Sequence, residues 1–202
     1  VSNGTLALHI AYRALDVKRS ICTPFSYVAT AGSLAWEKIP TSFVDIDPSS
    51  LNLCPILVGK MLEQAQDIDS VVATHVYGNP CSVELFDSTS IKHSVKVIYD
   101  GAHAFGVKYC GKSLLSFGDA TTLSFHATKV FHTVEGGAVI FKDKSRYERA
   151  KQLINFGLDL SGIPKEAGIN AKLNEYQAAV GLTLLDTIDD ILDYRSRLFD
   201  TY

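Results

Sequence analysis

Helix-type and strand-type patterns alternate along this 202-residue chain, with connections between the strand-type runs long enough to hold helices. Ile21 to Pro24, Ser42 to Asp47, Ser70 to His75, Val95 to Asp100 and Ala120 to Phe125 read as strands, short runs set off by turn residues. Leu6 to Leu15, a segment from Phe25 through Trp36, Pro55 to Ala65 and Ser82 to Lys92 read as the helices between them. A strand that returns through a helical crossover pairs in parallel with its predecessor. The chain is therefore expected to be an α/β protein with a mostly parallel sheet. At 47% hydrophobic residues it can bury one substantial core, and its length suits one domain or one and a half.

In such sheets, ligands gather at the carboxyl ends of the strands. Asp119 to Gly137 holds one such end: the strand from Ala120, a polar turn with Ser124, His126, Thr128 and Lys129, then Glu135-Gly136-Gly137 opening the apolar run Ala138 to Phe141. That is a strand, a reactive loop and a strand. Desolvating an ammonium is costly, and a lysine whose charge is disfavoured falls below its usual pKa of about 10.4, freeing the amine to attack carbonyls. On the loop alone, a solvated surface lysine is the commoner meaning. Asp100 ends another strand and is followed by the small residues Gly101 and Ala102, then His103. It can bind a metal, act as a base, pair with a cationic ring nitrogen, or simply cap a turn. Ser2-Asn3-Gly4-Thr5 opens the first helix, where free N–H groups make an anion site, although a plain cap looks the same.

A net charge of −3 leaves no basic stripe for nucleic acid and no polybasic patch for an anionic membrane. No apolar run approaches the roughly 20 residues of a membrane-spanning helix, so a soluble, cytoplasmic protein is expected. Cys22, Cys54, Cys81 and Cys110 contain no Cys-x-x-Cys pair and read as packing residues. No histidine or carboxylate pair stands at ligand spacing on a helix, so no metal site is expected. Lys142 to Asn155 reads as a surface helix and Phe156 to Gly168 as a loop. Lys172 to Leu198 reads as one long helix, with Asp186, Asp189, Asp190 and Asp193 forming a solvated acidic side. The chain starts without methionine and stops inside or just after that helix, so it reads as a fragment.

Gly4-Thr5 at a helix start, Tyr27 after a strand, Asp100 with His103, and Ser124 five residues before Lys129 together match what pyridoxal phosphate requires. Its phosphate takes helix N–H groups and hydroxyls, its ring a stacking face, its pyridinium nitrogen an anion, its aldehyde a lysine. With Thr23-Pro24-Phe25-Ser26-Tyr27-Val28-Ala29-Thr30, His75-Val76-Tyr77-Gly78-Asn79-Pro80, Asp100-Gly101-Ala102-His103-Ala104 and Ser124-Phe125-His126-Ala127-Thr128-Lys129, the chain resembles the pyridoxal-phosphate aminotransferases of the aspartate-aminotransferase fold. Within them it is most similar to the DegT-type sugar-nucleotide aminotransferases. The likeness covers essentially all residues, and the lysine loop is similar to those of enzymes that aminate dTDP-keto-6-deoxyhexoses.

The resemblance implies a three-layer α/β/α large domain over residues 1–170, with 171–202 a long helix leading towards a small domain absent from this chain. It implies that Lys129 forms the internal aldimine and shuttles the proton, that Asp100 pairs with the ring nitrogen, and that Tyr27 covers one ring face. His103 would hold the ring-hydroxyl side, and Gly4, Thr5 and Ser124 the phosphate. Asn170 would reach the phosphate in a neighbouring subunit, implying a homodimer with shared sites. His126 would touch substrate or support the loop. L-glutamate is the implied donor and a keto-6-deoxy sugar nucleotide the acceptor, dTDP-4-keto-6-deoxyglucose ahead of its 3-keto isomer. Related dehydratases carry histidine at the lysine position, and Lys129 argues against that reaction. Gly101 replaces a commoner alanine, and Lys172 stands where many members carry arginine.

Overall fold

The computed structural model describes residues 1–202. Its strands are β1 Ser20–Cys22, β2 Thr41–Phe43, β3 Ser70–Thr74, β4 Lys96–Asp100, β5 Lys108–Tyr109, β6 Lys112–Ser113, β7 Ala120–Ser124 and β8 Gly137–Phe141. Its helices are α1 Gly4–Ala14, α2 Val28–Trp36, α3 Pro55–Gln64, α4 Val83–His93, α5 Lys144–Leu153, α6 Glu175–Leu185 and α7 Ile188–Thr201. Six strands form one sheet in the order β2-β1-β3-β4-β7-β8, and only β8 runs antiparallel to its neighbour. The expected α/β architecture with a mostly parallel sheet is what forms.

Alternation along the strands sorts side chains between two cores. Val71, Ala73, Val97 and Tyr99 pack with Val58 and Leu62 of α3 and Val83 and Phe86 of α4. Val72 and Ile98 point the other way, into Leu8, Ala11 and Tyr12 of α1 and Leu34 of α2. Two positions further along, that same face carries Thr74 and Asp100, which pair in register, with Thr122 of β7 beside Asp100. The period of two thus delivers these polar residues to the α1 and α2 side, where the apolar core ends.

Three elements differ from the sequence expectation. The helix expected over Lys172 to Leu198 starts only at Glu175 and is broken at Asp186-Thr187. Asn174 sets the start through a capping box: its side chain accepts from the Gln177 amide, and the Gln177 side chain accepts from the Asn174 amide. Asp186, Asp189, Asp190 and Asp193 are all exposed, as a solvated acidic side requires, and Asp189 and Asp190 also stand in the first turn of α7, where the helix dipole favours negative charge. The strand expected over Ser42 to Asp47 is confined to Thr41–Phe43, because the Asp47 carboxylate accepts from the amides of Ser49 and Ser50 and turns the chain. The hairpin of β5 and β6 was not expected. Cys110 and Gly111, both at positive φ, form its two-residue turn.

Candidate active site

The carboxyl ends of β3, β4 and β7 open into a cavity of about 940 Å³ beside the start of α1. Gly4, Thr5, Tyr27, Asp100, His103, Ser124 and Lys129 all line it. Asn170 does not; it bridges Asn155 in the connection ahead of α6. Seven residues chosen from four separate stretches of sequence therefore meet at one place, and the eighth lies elsewhere on the chain.

Close backbone approach brings the start of α1 against the end of β7. A Cβ on Gly4 would sit 2.8 Å from the Ser124 Cβ, so only glycine fits without displacement. The Asn3 side chain accepts from the Leu6 amide at 2.8 Å, and Ala7 N donates to Asn3 O. The amides of Gly4 and Thr5 are left with no intrachain partner at the positive end of the helix dipole, next to the hydroxyls of Thr5 and Ser124. This constellation can hold a phosphate. Tyr27 occupies the N-cap of α2 without making a side-chain cap bond, and 78% of it is exposed, leaving a ring free to stack on a flat ligand.

Asp100 is only 5% exposed. Its Oδ2 accepts from Thr30 Oγ1 at 2.6 Å and its Oδ1 from the Ala102 amide at 3.1 Å. Burial, and then the Lys129 ammonium, push His103 below the ordinary imidazole range against the opposing pull of Asp100. His103 in turn stacks with Tyr77, their rings nearly parallel at 6.4 Å.

Lys129 sits on the loop between β7 and β8, its amide donating to His126 O at 2.9 Å. The loop is tied at its base by Phe125 N to Gly136 O and Thr133 N to Phe125 O, at 2.8 and 2.9 Å. Beneath it, buried Phe131 stacks on Phe105 at 4.5 Å and meets the edge of Phe125 at 4.9 Å. Gly181 of α6 packs against the same base, where a Cβ would come within 2.8 Å of Thr133 Cγ2. His126 Nδ1 lies 2.9 Å from Thr128 Oγ1, and Nε2 lies 3.5 Å from Glu135. Sequence reasoning missed Thr74, Tyr77 and Glu135 as cavity-lining residues, buried Thr30 as the partner of Asp100, and Phe105 and Phe131 as supports. The hydroxyl residues resemble ordinary helix-start and strand residues until the fold brings them to Asp100. Phe131, two residues after Lys129, was visible as an aromatic neighbour of the loop.

Comparison with known proteins agrees with this geometry. The chain matches the DegT/DnrJ/EryC1/StrS aminotransferase family over residues 1–202. It is 44% identical over 195 residues to a dTDP-4-amino-4,6-dideoxy-D-glucose transaminase of Shigella dysenteriae, covering 95% of this chain and 52% of that protein. It is 34% identical to a protein of the same name in Escherichia coli, over 100% of this chain and 54% of that one. The solved structure of DesI with its TDP-sugar product superposes with a TM-score of 0.90 at 35% identity, over 97% of this chain and 50% of DesI. The chain spans about half the length of the curated relatives it matches. On the match over its whole length, it belongs to the DegT/DnrJ/EryC1/StrS aminotransferase family.

Proposed function

We propose that this chain is the cofactor-holding part of a pyridoxal-phosphate-dependent aminotransferase that moves an amino group from L-glutamate to a keto-6-deoxy sugar nucleotide, dTDP-4-keto-6-deoxyglucose by preference. The observation that carries the reading is the meeting of Lys129, buried Asp100, the open start of α1 and the exposed Tyr27 ring around one cavity. The names of the relatives supply the sugar; the residues supply the cofactor.

Each residue present fits one part of pyridoxal phosphate. The amides of Gly4 and Thr5 with the Thr5 and Ser124 hydroxyls suit the phosphate, Tyr27 one ring face, and Asp100 the ring nitrogen. His103 stands on the cavity wall near both Asp100 and Lys129, in keeping with a role at the ring hydroxyl. When bound, the cofactor supplies an aldehyde that exchanges with amines and a ring that accepts electrons. Lys129 Nζ would hold it through that aldehyde and, once released by the amino donor, would carry the proton to and from the substrate carbon. Asp100 keeps an anion beside the ring nitrogen throughout. Asn170, outside the cavity, is assigned to the phosphate of a second subunit, which makes the working unit a homodimer. Residues 1–170 form the cofactor domain, and 171–202 follow it towards a small domain, with α6 packed under the lysine loop at Gly181.

The test is borohydride reduction of the chain after incubation with pyridoxal phosphate, then peptide mapping, then turnover of glutamate with dTDP-4-keto-6-deoxyglucose and its 3-keto isomer. Label on Lys129 and a 4-amino product are expected. Label elsewhere or none overturns the cofactor assignment, and amination only of the 3-keto isomer overturns the sugar.

A further inference from the structure

Asp100 is not held by its own strand alone. Thr30, in the first turn of α2 and fully buried, donates its hydroxyl to Asp100 Oδ2 at 2.6 Å across 70 residues of sequence. A hydroxyl has one proton, so Thr30 has none left for Ser26, whose Oγ lies 2.6 Å from Thr30 Oγ1. Ser26 is therefore the donor in that bond. Its proton is then spent, and the 3.0 Å contact between Ser26 Oγ and Thr74 Oγ1 has Thr74 as donor. The three hydroxyls form a chain of fixed direction, Thr74 to Ser26 to Thr30, ending on the carboxylate. Chains of this kind polarise along their length, and each donor strengthens the next in a low-dielectric interior.

The backbone at Thr30 is fixed as firmly as its side chain. Its amide donates to Tyr27 O at 3.1 Å, and its carbonyl accepts from Ser33 Oγ at 3.1 Å and from buried Tyr12 Oη at 3.4 Å. The same helix start thus presents the Tyr27 ring to the cavity and, three residues on, holds the Asp100 carboxylate.

We infer that Thr30 is a positioning residue for the cofactor, acting through Asp100, with Ser26 and Thr74 as the donors behind it; the inference rests on the cofactor reading given above. Thr30 is the one hydrogen-bond donor on Asp100 Oδ2, and the Ala102 amide holds Oδ1. Without Thr30's hydroxyl, Oδ2 loses that donor and the carboxylate is free to turn away from the orientation that faces a cationic ring nitrogen.

The experiment titrates the chain with pyridoxal phosphate by visible absorbance at neutral pH, for the parent, Thr30→Val, Thr30→Ser and Ser26→Ala, with the melting temperature of each measured alongside. Thr30→Val should weaken binding about 10- to 100-fold, the range for a hydrogen bond to a charged group, and shift the absorbance maximum of the bound cofactor. Thr30→Ser should restore both. Ser26→Ala should weaken binding by about threefold, since it removes a donor one step back. A merely structural Thr30 would lower the melting temperature and leave the absorbance maximum in place, and that result overturns the inference, as does Thr30→Val binding like the parent. If Thr30→Val fails to fold, Ser26→Ala decides: weakened binding supports the chain of donors and unchanged binding overturns it. A parent that takes up no cofactor overturns the functional reading and this inference together.

Discussion

The two halves of the cavity are built on opposite plans. On the β4 side, Asp100 is buried and bound by hydroxyl and amide donors to both carboxylate oxygens. On the β7 side, Lys129 is half-exposed on a loop tied at its base, with support from a phenylalanine cluster below. Burying a charge requires partners, and a carboxylate with two donors stays where it is put. Apolar packing under a loop fixes the base without engaging the polar tip. On the proposed function, the difference separates a group that would hold one charge and one position from a group that would let go of its ligand and carry a proton.

The largest effects should come from the two charged residues, and they should differ in kind. Lys129→Ala is expected to abolish the borohydride-trapped label and to cut turnover by on the order of 10² to 10⁴, the usual worth of a positioned acid–base group, with the fold intact. Asp100→Asn should keep the label on Lys129 while losing about 10²-fold or more in rate, because it removes charge stabilisation rather than the anchor. Peptide mapping beside steady-state kinetics separates the two. Loss of the label in Asp100→Asn, or full turnover in Lys129→Ala, breaks the division of labour.

Phe131→Ala tests the apolar plan. Removing a buried aromatic side chain typically costs about 3–5 kcal/mol, measurable as a lowered denaturant midpoint. Because Phe131 stacks on Phe105 directly under the lysine loop, cofactor uptake should weaken as well. A Phe131→Ala chain as stable as the parent would show that the loop is held from above by its polar contacts instead.

Acid should strike the β3–β4 side first. His75 follows Thr74 at the end of β3 and is fully buried, stacked on Tyr99 at 4.5 Å. Its Nδ1 accepts from the Cys81 amide and its Nε2 has no partner. Burial pushes it from the ordinary value of 6.5 down to about 3. The unfolded chain therefore binds a proton that the folded chain refuses between these two values, and stability is full above 6.5 and falls as pH drops towards 3. The slope should be about 1.4 kcal/mol per pH unit from this one residue. His75→Asn, whose Oδ1 can still accept from Cys81, should flatten it, and equal slopes in parent and variant would remove His75 as the cause.

What the sequence reveals divides along the same line. Strand and helix order is legible because periodicity and turn residues are local, and Lys129 and Asp100 are legible because few residues of their chemistry stand at strand ends. Thr30 is not, since a threonine in the first turn of a helix has ordinary reasons to be there, and its partner is 70 residues away. The helix break at Asp186-Thr187 is hidden for a related reason. The same residues serve as an exposed face in one long helix or as the start of a second helix, and the choice between these is made by the Asn174 cap and the geometry at Thr187. Asn170 shows the limit from the other direction: its motif suggests a place at the cofactor, yet within this chain it bridges Asn155, away from the cavity.

The smallest expected effect sharpens the contrast most. Glu135 approaches His126 at 3.5 Å at the tip of the lysine loop, with the two side chains 51% and 48% exposed. Such a pair is in water on most sides and is worth about 0–1 kcal/mol. His126 has a second tether, since its Nδ1 meets Thr128 Oγ1, and the Glu135 carbonyl, not its carboxylate, accepts from Thr133 Oγ1 at 2.7 Å. Glu135→Gln leaves both of those bonds in place. It should shift the denaturation midpoint by less than a tenth of the Phe131→Ala change at high salt, where exposed pairs are screened. If Glu135→Gln instead destabilises the chain as much as Phe131→Ala, the loop tip is part of its scaffold. The loop that carries Lys129 would then be held by polar contacts, as Asp100 is.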